Sequence, residues 1–165
     1  MEGGNEMQQI KLCPECKVPE QITKDHLWLN SGVIVHKANQ ATRLAFIECE
    51  NLDPLFKGIG EIIGMPIDRM VIDIARRAAA IYLGNQIPPQ VRDMIRKQEL
   101  ELEPIIDTMI VTSRLFGLGK YELVDIRSEG DEGDYNISRI SEPFSLLICA
   151  GTIAGSRQAL SGRPA

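Results

Sequence analysis

A pair of cysteines near the start of the chain is the arrangement most suited to chemistry. Cys13 and Cys16 lie in the segment Cys-Pro-Glu-Cys-Lys, where Pro14 sets a turn between them. Two thiolates at this spacing form half of a tetrahedral zinc site. Because the chain shows no secretion signal and Pro19 interrupts any helix after the pair, zinc is favoured over a structural disulfide and over a redox pair. A turn without metal is the remaining alternative.

A closed zinc site needs two ligands besides this pair. The sequence supplies them either from a second chain with its own cysteine pair or from the candidates His26, Cys49, Glu48 and Glu50. The metal ligands expected from the sequence are Cys13 and Cys16, and the other ligands stay open.

A second candidate site is an apolar pocket between amphipathic helices. Apolar residues recur at helical spacing over 67–84 and again from Glu103 to Phe116. The facing sides of these two predicted helices either fill the core or leave a cavity, and in a cavity the flexible side chain of methionine can adapt to a ligand. The other histidine, His36, is expected on a strand as a satisfied side chain, a hydrogen-bond donor to a ligand or an axial ligand. The expected ligand-binding residues are Ile74, Ala78, Tyr82, Met109, Phe116 and His36.

The elements that position these residues follow the order hairpin, helices, hairpin, helix. Helices are predicted over 53–64, 67–84, 90–102, 103–116 and 144–160, and strands over 26–36, 43–49, 121–127 and 135–140. Residues 30–32 are predicted to form a bend or bulge inside the first strand. This order predicts an α+β fold with helices packed on a small antiparallel sheet. Residues 1–25 are expected to form a tail and a cysteine knuckle, and residues 26–165 a single ligand-binding-like domain.

The last predicted helix combines apolar and small side chains. Ala150, Gly151, Ala154 and Gly155 lie on it, so another element can approach closely. Cys149 precedes them in an apolar run and is expected to be a buried small hydrophobe.

Composition limits the functions open to this chain. Its 165 residues, of which 44% are apolar, suffice for the core of one ordinary domain. Eighteen Lys and Arg against 23 Asp and Glu give a net charge of -5, which disfavours binding to nucleic acid or to an anionic membrane. No apolar run reaches the roughly 18 residues of a spanning helix, and the polar start is unlike a signal peptide. A soluble, cytoplasmic protein is expected.

The C-terminal third resembles a known family. The segments 115–119 (LFGLG), 143–145 (PFS) and 149–155 (CAGTIAG), together with the two strands between them and Gly162, look like the four-vinyl-reductase domain. That domain is related to the TRAPP transport subunits and the haem nitric-oxide sensors. The resemblance implies a small-molecule binder that dimerises through helices. In the family's zinc-bearing members a ligand stands at the position of Cys149, and the remaining ligands would lie beyond Ala165.

The sequence therefore predicts a sensing or binding domain for a small apolar or aromatic molecule or a tetrapyrrole such as haem, which signals through a homodimer or a partner. The alternative is a zinc-stabilised domain that mediates protein association. An enzyme of tetrapyrrole metabolism is suggested only by the family's name. Gly58 and Gly60 resemble part of a dinucleotide motif, but they lie within a predicted helix and do not follow a strand.

Overall fold

The computed structural model describes residues 10–162 of the chain, so the tail predicted over the first nine residues lies outside the described residues. The chain divides into two compact units, Met1–Ile47 and Glu48–Ala165. The boundary predicted from sequence, between residues 25 and 26, lies inside the first unit, where a helix leads directly into a strand. The described parts of both units contain helices and antiparallel strands, so the α+β class is confirmed.

The first unit holds one short helix and a three-stranded antiparallel sheet. Its elements are α1 (Glu20–Asp25), β1 (His26–Trp28), β2 (Ile34–His36) and β3 (Arg43–Leu44), with the strands in the order β1-β2-β3. The prediction of one long strand over 26–36 is wrong. Gly32 has φ 81° and donates its N–H to the carbonyl of Leu29, which closes a tight turn between β1 and β2. The expected bend is therefore the hairpin turn itself.

A small core forms around a histidine in this unit. His26 is buried together with Ile22 and Val35, and its Nδ1 lies 2.8 Å from the carbonyl oxygen of Ile22. The rings of His26 and His36 meet edge to face at 5.1 Å. This contact follows from the strand register, in which these two histidines are paired.

The second unit contains five α-helices and a two-stranded hairpin among its described residues. The prediction of a strand over 43–49 is wrong beyond Leu44, where β3 ends, and a short 3-10 turn follows at Cys49–Asn51. The elements are α2 (Leu52–Ile63), α3 (Asp68–Gln86), α4 (Pro89–Arg96), α5 (Glu103–Leu115), β4 (Lys120–Arg127), β5 (Tyr135–Ser141) and α6 (Leu146–Ser161). The helix predicted over 90–102 is too long, because Gln98 takes φ 60° and ends the helical path shortly after Arg96.

Two helices of the second unit, α3 and α6, pack closely side by side. A Cβ on Gly155 would lie 2.8 Å from Cβ of Ala79, and one on Gly151 would lie 2.6 Å from Cβ of Ala75. Since each step of one turn along α6 matches one turn along α3, the two helices run parallel. The prediction that small residues on the last helix admit a close neighbour is confirmed. Arg76 adds a polar link across the pair through a 2.7 Å hydrogen bond to Oε1 of Gln158.

The start of α6 is fixed by a side chain from α2. Ser145 is buried and accepts the N–H of Ile148 on its Oγ, as an N-cap residue does. Its hydroxyl donates to Asp53, whose other carboxylate oxygen accepts the N–H of Leu146 at 2.8 Å. One carboxylate thus satisfies a backbone amide of the first turn and holds the capping serine.

A β-bulge decides which side chains of β4 face inward. The register between β4 and β5 shifts between Leu123 and Asp125. Strict alternation would place Asp125 on the same face as Tyr121, but after the shift Asp125 is exposed and Ile126 is half-buried. The bulge therefore turns an apolar side chain toward the helices in place of a carboxylate.

Candidate functional site

The second unit contains a cavity of about 590 Å³ between α3, α5, α6 and the β4–β5 hairpin. Its volume lies within the range of roughly 300–1,000 Å³ that is typical of small-molecule sites. The cavity opens to solvent beside α3, since Tyr82 lines it and keeps 65% of its surface exposed. A preformed, partly open and mainly apolar cavity is the geometry of a binding site.

The predicted ligand-binding residues divide into two groups. Ala78, Tyr82 and Met109 line the cavity together. Ile74 and Phe116 are not part of its wall, and their side chains are 61% and 44% exposed. His36 lies on β2 of the first unit, whereas the whole cavity wall belongs to the second. The structure thus brings together three of the six residues.

The wall of the cavity changes character along its length. At one end Leu118 and Ile148 lie near Tyr121, and Ala75 of α3 provides small apolar surface beside Gly151. At the other end the hairpin and the last turns of α6 provide polar groups, among them Ser128, Asn136, Ser156 and Ser161. The chain has three tyrosines, and all of them, Tyr82, Tyr121 and Tyr135, line the cavity.

Tyr121 lies against the one fully buried cysteine of the described residues. Burial raises the pKa of Tyr121 well above its usual value, and a hydrogen bond with Cys149 acts in the same direction. Cys149 is completely buried, as predicted, and its thiol lies 3.5 Å from the carbonyl oxygen of Leu118. The phenol of Tyr121 is therefore neutral at physiological pH, so this side chain brings no charge to its end of the cavity.

Among the described residues, the charged side chains of the cavity wall are Arg127, Asp134 and Arg157, and they lie at the polar end. Arg127 pairs with Asp131 and Glu129 at 2.5 and 2.6 Å, and it lies 3.6 Å from Asp134. Arg157 differs from Arg127 because it forms no ion pair with any residue in the range 10–162. Its guanidinium donates to the backbone carbonyl of Asp134.

Arg157 is not among the residues predicted from the sequence, although the sequence contains a signal for it. Arg157 is the only charged residue between Phe144 and Leu160. A single charge in an otherwise apolar helix needs either solvent or a polar partner, so it marks the side of the helix that is not packed. Asn136 and Ser138 were missed for a similar reason, since polar residues in alternate positions of a strand are typical of its solvent face, whereas these two line the cavity.

The cysteine pair lies in the first unit in a tight turn. The N–H of Lys17 donates to the carbonyl of Cys13 at 3.0 Å, and Lys17 has φ 61°. The N–H groups of Cys16 and Glu15 point to the sulfur of Cys13, which lowers the pKa of that thiol, and the thiol of Cys16 adds to this effect. Both cysteines are accessible. Backbone amides directed at a sulfur and two neighbouring thiols are the features of half a zinc site.

No further ligands complete a metal site in the part of the chain that the structure describes, where no group of three or more His, Cys, Asp and Glu side chains can hold an ion. His26 is buried and bonded to the backbone of α1. The Nδ1 atom of His36 accepts the N–H of Ala38 at 3.1 Å. The expectation of zinc at Cys13 and Cys16 thus stays a prediction.

An apolar surface lies on two helices of the second unit. On α3 the side chains of Met70, Ile74 and Ile81 recur at intervals of four and seven residues, so they share one side of the helix, and each is more than half exposed. On α2 the side chains of Ile62 and Ile63 are 86% and 53% exposed. Large apolar side chains exposed along one side of a helix, as on α3, are typical of an interface.

Comparison with known proteins adds no relative. The chain matches no protein-family model, and neither the search of curated proteins nor that of solved structures gives a significant match. The resemblance to the four-vinyl-reductase domain therefore stays a prediction. Within residues 10–162, none of the helices has the length and apolar character needed to cross a lipid bilayer.

Proposed function

We propose that this chain is a cytoplasmic binding or sensing protein that takes a small apolar or aromatic molecule into the cavity of its second unit. The observation that carries the proposal is the cavity itself, about 590 Å³ in volume and mainly apolar in its lining. A well-packed core leaves few voids larger than a water molecule, so a space of this size has a use other than folding. Met109 and three tyrosines supply adaptable and amphipathic contacts for a ligand.

Occupancy of the cavity would be passed on through the apolar side of α3, which we propose buries against a second copy of the chain. Helix α3 supplies both surfaces. Ala78 and Tyr82 line the cavity, and Ile74 and Ile81 lie on the exposed apolar side. A ligand that shifts α3 would therefore alter the dimer interface directly.

The test is to fill the cavity. Ala78→Phe places a ring at the mouth of the cavity, whereas Ala150→Phe makes the same change at an exposed alanine of α6 that does not line it. The neutral dye Nile red should bind the wild type and the Ala150→Phe variant with increased fluorescence, and it should fail to bind the folded Ala78→Phe variant. Equal binding by all three proteins, or no binding by any, would refute a ligand site here.

The absorption spectrum of the purified protein checks the tetrapyrrole version of this proposal. A Soret band would identify a bound haem or a related pigment. In that case Ala78→Phe should abolish the band, and His36→Ala should leave it unchanged, because the cavity wall contains no histidine among the described residues. Loss of the band in the histidine variant alone would contradict the placement of the ligand in this cavity.

A second candidate function, a zinc-stabilised domain for protein association, is favoured by the turn that holds Cys13 and Cys16. We propose that two chains each contribute this pair to one zinc ion, because the described part of a single chain offers two clustered ligands where a structural site needs four. The amides of the turn would stabilise the thiolates, and zinc would join the two first units.

Metal content and mass test this candidate. The wild type should contain one zinc ion for each pair of chains, and Cys13→Ser with Cys16→Ser should remove it. Cys49→Ser is the matched control, since Cys49 is an exposed thiol outside the turn. A zinc content that is unchanged in the double variant would exclude this site, and one zinc per monomeric chain would exclude sharing between chains.

A further inference from the structure

The two ends of the cavity differ in chemistry, and the difference concerns the nature of the ligand. Helices α3 and α6 run parallel, and Tyr121 at the start of β4 lies beside Cys149 near the start of α6. Arg157, two turns further along α6, bonds to the backbone of Asp134 at the tip of the hairpin. The cavity therefore runs from an uncharged end near Tyr121 to a charged end near Arg157.

The charges at this end are not balanced within the wall. Asp134 is already bound on both carboxylate oxygens, because its Oδ1 accepts the N–H of Glu129 at 2.7 Å and its Oδ2 accepts the N–H of Gly130 at 3.0 Å. Arg127 is held by carboxylates of the hairpin tip. Among the described residues, none of these carboxylates forms an ion pair with Arg157.

Arg157 is thus a half-buried cation without a carboxylate among the described residues. One N–H is used by the carbonyl of Asp134, and a guanidinium has five N–H donors in a planar fork. This fork matches the two oxygens of a carboxylate and forms short, charge-assisted hydrogen bonds with them. A ligand with an anionic end would supply the missing partner.

We propose that the ligand is an anionic amphiphile, an apolar molecule with one terminal carboxylate, whose carboxylate pairs with Arg157 while its apolar part extends toward Tyr121. This inference rests on the proposed function, since it assumes that the cavity binds a ligand. It adds the chemical class of that ligand and a specificity-determining residue. The uncharged end favours a hydrocarbon or aromatic body over a second charged group.

The test compares two ligands that differ only at the head group. Dodecanoate and dodecan-1-ol, each below its aggregation concentration, are titrated against the complex of the protein with Nile red. Hydrogen bonds between charged groups contribute strongly to affinity, so loss of the guanidinium should raise the Kd for dodecanoate roughly ten- to hundred-fold. Arg157→Gln should therefore show this loss, with little change for dodecan-1-ol or for Nile red.

Two further variants make the result specific. Arg157→Lys keeps the charge and should retain most of the preference for dodecanoate, which also covers a failure of the glutamine variant to fold. Arg139→Gln removes an exposed arginine of β5 that pairs with Glu122 outside the cavity wall, and it should leave both affinities unchanged.

Failure of the inference and failure of the proposed function give different results. If Nile red binds in the cavity but the wild type binds dodecanoate no more tightly than dodecan-1-ol, the anionic ligand is excluded and the cavity remains a binding site. The anionic ligand is likewise excluded if Arg157→Gln weakens the binding of dodecanoate and of dodecan-1-ol equally. If Nile red does not bind, or binds equally well after Ala78→Phe, the proposed function itself fails.

Discussion

Substitution of Gly155 by alanine should destabilise the protein, although alanine is the better helix former. Relative to glycine, alanine in a helix interior contributes about 1 kcal/mol in favour of the folded state. At Gly155 the added Cβ would press on the carbonyl oxygen of Arg76 and lie 2.8 Å from Cβ of Ala79 and 3.0 Å from the backbone nitrogen of Ala80. Two of these atoms are backbone, so no side-chain rotation relieves the contact.

The magnitude follows from the movement that the methyl group requires. Carbon atoms in contact are ordinarily about 3.5–4.0 Å apart, so α3 and α6 must separate locally by about 1 Å. Overpacking of this kind costs typically 1–3 kcal/mol, and the gain in helix propensity offsets part of it. We expect a net loss of about 1–2 kcal/mol in the free energy of unfolding, which for a chain of this size lowers Tm by roughly 2–8 °C.

The control is Gly58 on α2, where an added Cβ meets no atom within 4 Å. Gly58→Ala should raise the free energy of unfolding by about 0.5–1 kcal/mol, because alanine has the higher helix propensity and its methyl group causes no overpacking here. Thermal melts followed by far-ultraviolet circular dichroism measure both variants. Equal stabilisation by the two substitutions would refute the close contact between α3 and α6, and with it the position of the cavity wall.

Three other predictions concern the cap, the cavity and the apolar surface. Asp53→Ala should lower the free energy of unfolding by about 1–3 kcal/mol, since it removes the acceptor of Leu146 N–H and of the buried Ser145 hydroxyl. The control Asp107→Ala, at an exposed position of α5, should change it by less than about 0.5 kcal/mol in the same thermal melts. Because the pKa of Tyr121 is raised in the folded state, its contribution to stability is present below the ordinary tyrosine pKa and is lost as pH rises above it. An absorbance titration of tyrosinate should therefore show one ionisation step above the ordinary tyrosine pKa, and Tyr121→Phe should remove it. A step of unchanged size in this variant would contradict the burial of the Tyr121 phenol. Ile74→Lys with Ile81→Lys should convert a dimer into a monomer in light scattering, and Met70→Leu, which keeps the same surface apolar, should leave the dimer intact. A wild type that is already monomeric would exclude the proposed interface.

Much of the second unit could be predicted because its signals are local. The 3.6-residue period of α3, the left-handed Gly64 after α2 and the alternation in β4 and β5 each depend on neighbouring residues. The small residues of α6 also predicted a close neighbour, because a close contact between helices requires glycine at both Gly151 and Gly155. These features specify elements and one packing contact.

The wall of the cavity was harder to predict because it depends on which sides of several elements meet. Ile74 and Ala78 lie one turn apart on α3, yet only Ala78 lines the cavity. The bulge near Val124 places Ile126, and not Asp125, on the inner face of β4. A bulge of this kind cannot be predicted from the simple alternation of apolar and polar residues. Arg157 was missed because its role depends on a carbonyl group more than twenty residues earlier in the chain.

The distribution of aromatic residues gives the two units separate optical reporters. The single tryptophan, Trp28, lies in the first unit, where it is stacked on Phe46 at 5.5 Å, and all three tyrosines line the cavity of the second. Selective excitation of tryptophan therefore follows the first unit, while the near-ultraviolet signal of tyrosine follows the cavity. A single denaturation experiment on the unlabelled wild type can thus reveal whether the units unfold in one transition or in two.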